Sequence, residues 1–358
     1  MAQYQLSSVA HIPVPLTDLA YAFRQDMTEY QHDKILPIHV CNHRSDLIRS
    51  FNKSSLLRVP DLWVGPSGKP KQTSFRMDSN KTYACKDVSL ETVVDFREQA
   101  DMDPILNYPT EKLYWLMVGF QQGMEYYVIK QIMRNTALIT NYTDLSSDPS
   151  QQWDQLDSDN SNPVTAIRQQ VLKMELTLGG KTPNYLGMSK MTWQQIQHNK
   201  EVRALAGLTS YGAPFINEAQ FEQLCYLPPG SLHLHSLTYN AALQDQTAAY
   251  RSFMGPDVVL AYTAPVGQRV YGLGYQHWFP GNIGDGDGQV PEELRGSPFA
   301  VYNFPDVSGQ VTLGGGYTTR VLGGLDAVIH NADAAYLWQN AVDPNNTAKY
   351  GDFLKGEP

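Results

Sequence analysis

The sequence predicts an α+β chain: an N-terminal arm and an extended β-ribbon attached to a body made of one long helix and a mixed α/β lobe. Three observations predict it. Apolar residues from Leu113 to Ile132 recur at three- and four-residue spacing, β-branched and aromatic runs crowd residues 75–96 and 232–330, and turn-forming clusters separate these runs.

Residues 1–36 show no sustained period and carry Pro13 and Pro15, so they read as an extended arm with one short helix at 17–25. Residues 37–56 follow as an irregular or partly helical lead-in. Gly65, Pro66, Gly68 and Pro70 then mark a loop tip. Beyond it, 75–77 and 82–96 alternate in part around Asp78, Ser79 and Asn80, which predicts a long two-stranded excursion. A ribbon of that kind is marginal in water and is expected to rest on another subunit.

The clearest element is a helix over 110–136. Leu113, Met117, Phe120, Met124, Val128 and Ile132 form one face, Pro109 and Thr110 open it, and Glu111 sits in its first turn. At 1.5 Å per residue it would span roughly 40 Å. The acidic stretch 144–162 reads as a linker. Asn162 and Pro163 read as N-cap and first residue of a helix over 163–175, with Val164, Ile167, Val171 and Met174 inward and Gly179-Gly180 as its stop.

A strand at 185–188 and a helix capped by Ser189, bearing Trp193 and Ile196, come next. Strands are then predicted at 232–234, 237–239, 258–263, 299–304, 307–313, 317–322 and 327–330, with a long glycine- and aromatic-rich loop at 264–298.

Composition narrows the function. With 358 residues, 42% hydrophobic and 18% charged, the chain can bury enough surface to offset its ordering entropy. A net charge of −9 without a Lys/Arg cluster excludes tight sequence-independent nucleic-acid binding, so any DNA contact is expected to be weak. Neither a secretory leader nor an apolar run long enough to span a bilayer is seen, which predicts a cytosolic product that meets no membrane. Cys41, Cys85 and Cys225 are scattered and form no Cys-x-x-Cys pair, so buried reduced thiols are expected.

The order of these parts resembles the major capsid proteins of tailed bacteriophages, whose fold, named for the Hong Kong ninety-seven phage, is shared with encapsulins. Trp153 with Asp157, then Asn162, Pro163 and Ile167, is similar to that family's passage between its two domains. Residues 181–189 with Trp193 and 198–202 resemble its strand-then-helix signature. Residues 236–240, 257–263, 326–329 and 331–341, the last with Tyr336, Leu337 and Trp338, resemble later strands, so the likeness runs over about 30–342.

The resemblance implies a non-catalytic subunit of an icosahedral virion shell, assembled in a host bacterial cytoplasm from hexamers and pentamers of itself. It implies an extended loop at 57–97, a peripheral domain over 98–162 and about 326–358, and an axial domain over 163–325. Tyr271 and its neighbours up to Pro280 would face the capsomer centre. No acidic helical extension serves as a fused scaffold, which implies a separate scaffolding protein; portal and decoration proteins are further expected contacts around enclosed double-stranded DNA. Some relatives crosslink a loop lysine to an asparagine, but Lys69, Lys71 and Asn346 do not match that pattern residue by residue.

No catalytic, cofactor or metal residue is assigned. His39, Cys41 and His43 alternate, as do His233 and His235, and strands would put such residues on one face; histidines that pack or hydrogen-bond in strands are commoner than ligands. Residues 284–288 lack the further acidic ligands of a calcium loop. Gly272-Leu273-Gly274 and the glycines at 314–316 open no phosphate-binding helix, and no Gly-x-Ser-x-Gly or His-Glu-x-x-His occurs. An encapsulin-type compartment shell and a metal-dependent enzyme using the histidines are the alternatives.

Overall fold

The structure is a computed structural model that describes residues 19–20, 22–24, 27, 29–51, 57–59, 62–63, 69, 77–101, 108–207, 215–242, 246–265, 272–279, 299–306 and 316–346. In its first half lie α1 (His32–Ile35), β1 (Ile38–Val40), β2 (Ser45–Phe51), β3 (Met77–Ala84), β4 (Lys86–Asp95), α2 (Phe96–Asp101), α3 (Tyr108–Glu125), β5 (Tyr142–Asp144) and α4 (Pro163–Thr177). There follow β6 (Tyr185–Ser189), α5 (Lys190–His198), α6 (Lys200–Leu205), α7 (Glu218–Leu224), β7 (Leu232–His235), β8 (Thr238–Asn240), β9 (Tyr250–Ser252), β10 (Val258–Ala261), β11 (Gly274–Phe279), β12 (Phe299–Asp306), β13 (Gly316–Ile329) and β14 (Ala335–Gln339).

The long helix lies on a sheet centred on β13. One edge of β13 pairs with β4; the other pairs with β12 along 316–323 and β11 along 324–329, and β1 adds to β11 in parallel. Leu113, Leu116, Met117, Phe120 and Met124 pack on Trp278, Phe299, Val301, Val321 and Leu325. Each such side chain contributes roughly 1.5–3 kcal/mol by leaving water. Gly119 lets the helix approach β4 closely, since a Cβ there would stand 3.1 Å from Leu90 Cδ2. The arm's described residues are helical where expected, and Ala20 and Phe23 pack on this same core.

Every residue of the expected helix face is buried, but the helix does not stay α to its end. From Tyr126 to Met133 it is a π-helix, closed by an Arg134 N–H to Ile129 carbonyl bond of 3.2 Å. The wider turn brings the neighbours Val128 and Ile129, then Ile132 and Met133, inward together. The change falls where the helix leaves the first core and enters a second one, so the π segment re-aims the apolar face between two cores.

That second core surrounds a sheet ordered β5-β14-β10-β6-β7. It gathers Val164, Ile167 and Val171 of α4, Trp193 and Ile196 of α5, Phe221 of α7 and Trp153, which tilts against Trp338 at 5.6 Å between ring centroids. Ser189 caps α5 as expected, its Oγ accepting the Thr192 N–H at 3.1 Å. Gly179 and Gly180 end α4 with φ of +66° and +83°, where a side chain would be strained.

Several expectations need correction. Asn162 does not cap α4; the Glu201 carboxylate, reaching across from α6, accepts the Val164 and Thr165 N–H groups at 2.8 and 3.0 Å. Residues 144–162 are not a loose linker, because Asp144 and Asp148 cap short 3₁₀ turns and Trp153 is buried. The lead-in contains a strand, β2, and the ribbon is β2 with β3; β4, expected as a ribbon arm, is instead held by β13. Within 264–298 lies the buried strand β11. The expected strands at 317–322 and 327–330 are one, β13, and 307–313 lies outside the described residues.

The sheets also cut across the division expected at 163 and 325. Strands β11, β12 and most of β13 join the long helix, whereas β14 joins β10 and β6. Spacing along the chain carries no record of which distant strand completes which sheet. Among the described residues no helix is long and apolar enough to cross a membrane.

Candidate assembly surfaces and buried histidine clusters

The ribbon is rooted in a small core. Ile48, Tyr83, Cys41 and Cys85 pack together against Phe279 and Val328. The Lys81 ammonium donates to the Ile329 and His330 carbonyls at 2.8 and 3.1 Å, and Asp326 accepts the Ala84 N–H at 2.8 Å. Past the paired strands, Val59, Leu62 and Trp63 are 89%, 79% and 88% exposed. Leu57 lies against Gly179. On the body, Trp115 of α3 and Leu176 of α4 are 65% and 83% exposed. Val59, Leu62 and Trp63 fall within five residues of one another, an exposed apolar cluster of the kind that marks an interaction surface, whereas Trp115 and Leu176 are single exposed residues.

Where the two cores meet, a polar cluster is closed to solvent. Glu125, at the end of α3, accepts the Gln31 and His32 N–H groups at 3.0 and 2.8 Å, and His235 Nδ1 lies 3.3 Å from its other oxygen. His235 Nε2 is 2.8 Å from the Tyr185 hydroxyl. Gln276 donates to the His32 and Leu36 carbonyls at 2.9 and 2.8 Å. Burial pushes the Glu125 carboxyl up, but His235, His32 and the Gln31 N–H outweigh it and hold the group below its usual range. The Tyr185–His235–Glu125 chain has the connectivity of an acid–base relay, and all three members are buried where the two cores meet.

His233, one strand position pair from His235, stacks on the Tyr185 ring at 4.5 Å. Burial, with Lys34 and His235 nearby, lowers its pKa to about 4. Unfolded chain therefore takes up a proton first, and this contribution to stability is lost as pH falls from about 6.5 to about 4. Thermal melts across that window should show a falling Tm, and His233→Gln should flatten the fall; an unchanged slope would deny the histidine this role.

Of the residues singled out in the sequence, His39 and Cys41 come together and His43 does not join them. On β1 and its continuation, His39 Nδ1 and Cys41 Sγ are 3.3 Å apart, and each lies 3.3 Å from His277 Nδ1 of β11. Sequence reading missed His277, whose only local signal is a buried aromatic strand. All three cysteines are buried and none is in a disulfide. Among the acidic residues of 144–159, Asp159 pairs with Lys200 at 2.6 Å and Asp144 and Asp148 serve as caps. Residues 284–288 and the glycines at 314 and 315 lie outside the described residues.

No protein-family model and no curated protein matches this sequence. Solved structures do. A phage-related protein from Bordetella bronchiseptica RB50 superposes with a TM-score of 0.66 at 16% identity, over 93% of this chain and 98% of the other. The holo-SrpI encapsulin complex from Synechococcus elongatus PCC 7942 gives 0.51 at 10% identity, over 88% and 89%. Likeness across nearly the whole length is likeness of fold: this chain has the Hong Kong ninety-seven-type capsid fold.

Proposed function

We propose that this chain is the major capsid protein of a tailed double-stranded DNA phage, a structural subunit that self-assembles through hexamers and pentamers into an icosahedral head. The observation that carries the reading is a capsid-type fold matched over 93% of the chain, with Val59, Leu62 and Trp63 largely exposed between the ribbon strands, where another copy can cover them. In this reading the ribbon of 45–84 is the loop that overlaps a neighbour. The α3 sheet is the peripheral domain, and the sheet of β5, β14, β10, β6 and β7 is the axial domain. A separate scaffolding protein, portal and decoration proteins, and weakly contacted DNA belong to the same proposal. Assembly takes place in the bacterial cytoplasm.

Coexpression with the scaffolding protein should give closed particles by negative-stain microscopy and sedimentation. Trp63→Asp should leave the melting of the subunit within about 0.5 kcal/mol of wild type, as for a surface change, yet leave it as unassembled subunits. A wild-type chain that stays monomeric with its scaffold and turns over a substrate would reject the reading. The encapsulin likeness favours a second reading, a compartment shell around an enzyme cargo. Particles that retain a coexpressed enzyme and package no DNA would select it.

A further inference from the structure

We propose that His39, Cys41 and His277 form a zinc site that clips the root of the ribbon to the sheet under the long helix. Backbone register makes the site. In the parallel pair of β1 and β11, His39 stands opposite His277, and the ladder continues through the Cys41 N–H to Trp278 carbonyl bond at 2.7 Å. His39 and Cys41 are two residues apart and so share a face. Three donors from two strands, distant in sequence, thus converge on one point.

The spacing is that of a coordination sphere. Nδ1 of His39, Nδ1 of His277 and Sγ of Cys41 form a triangle with every side 3.3 Å. Tetrahedral zinc, with bonds of about 2.0–2.1 Å to nitrogen and about 2.3 Å to sulfur, holds its ligands about 3.3–3.6 Å apart. One thiolate with two imidazoles is a donor set suited to zinc in a reducing cytosol. A fourth position remains for water or a ligand from elsewhere.

The surroundings hold the donors in place. His277 Nε2 lies 3.0 Å from His330 Nε2, and the tautomer in which His277 donates to His330 leaves Nδ1 as the ligating atom. Tyr83 stacks flat on the His277 ring, 4.4 Å between centroids and 2° between planes. Cys41 and His277 are buried, and Ser45, where β2 begins, is four residues beyond Cys41. A metal here would join the start of the ribbon to a strand more than two hundred residues away. The site needs no second subunit, so its test is independent of shell assembly.

The full-length chain, stripped with a chelator, is titrated with Zn²⁺ and separately with Co²⁺. The expected result is about one equivalent of zinc per chain, a Tm raised by zinc, and a thiolate-to-cobalt charge-transfer band. Cys41→Ser should abolish the band and Cys85→Ser should keep it. His330→Gln, which removes only the orienting partner, should weaken zinc binding about 10- to 100-fold. Because His277 is deeply buried, His39→Gln supplies the second ligand variant, and it should weaken binding at least as much. A folded wild-type chain that takes up no more zinc than Cys41→Ser, or a cobalt form without the thiolate band, overturns the site.

Discussion

Leu113→Asp should yield no soluble folded chain. Leu113 is 1% exposed and belongs to the core it shares with Val301 and Val321 beneath α3, so a carboxylate there would be cut off from water. Losing the leucine costs roughly 2–5 kcal/mol, and an unpaired buried charge adds several more, against a total stability of about 5–15 kcal/mol. Phe120→Asp should be milder. Phe120 borders a groove of about 340 Å³ lined also by Lys86, Ser89 and Tyr127, so an aspartate there can turn toward water and a lysine. Soluble yield and far-UV circular dichroism measure both. A well-folded Leu113→Asp chain would show that the inward face of α3 has been misplaced.

Glu125→Ala should cost about 3–5 kcal/mol, because it leaves the buried Gln31 and His32 N–H groups without their acceptor and His235 without the carboxylate beside it. Glu125→Gln keeps the shape and one acceptor oxygen and should cost less. The two also separate by pH. The carboxyl of Glu125 sits below its unfolded value, so its contribution is present above about pH 4.5 and lost as pH falls through the folded value. Glu125→Gln should therefore lose part of the acid sensitivity of wild type. Urea melts at neutral pH and near pH 4 measure this, and an equal acid loss in both proteins would remove Glu125 from the junction's stability.

The strongest elements are legible because their signals are local. Leu113, Met117, Phe120, Met124, Val128 and Ile132 follow a single helical stripe, and each is buried. Ser189 at its helix start and Gly179-Gly180 at a helix end state their roles within a few residues. What the sequence hides is set by distance. Glu201 displaces Asn162 as cap of α4 because a helix more than thirty residues on happens to present a carboxylate there. The π segment exists to serve two cores at once, a demand no periodicity over Tyr126–Met133 expresses.

The same reason governs the candidate sites. His39 and Cys41 alternate visibly, but their significance depends on His277, which only the pairing of β1 with β11 supplies. The ribbon is legible as an excursion from the turn-rich stretch after Leu62. Its first strand is not: Ser45, Asp46 and Arg49 make β2 read as polar, because Ser45, Asp46 and Leu47 meet water and only Ile48 of its described side chains enters a core.

The most direct test is a cryo-electron microscopy reconstruction of the product formed when the chain is expressed with its scaffolding protein. A closed shell of five- and six-membered rings, with Leu62 and Trp63 buried against an adjacent subunit, is the expected result. A monodisperse monomer whose residues 45–84 fold down onto its own body and bury those same side chains would contradict it.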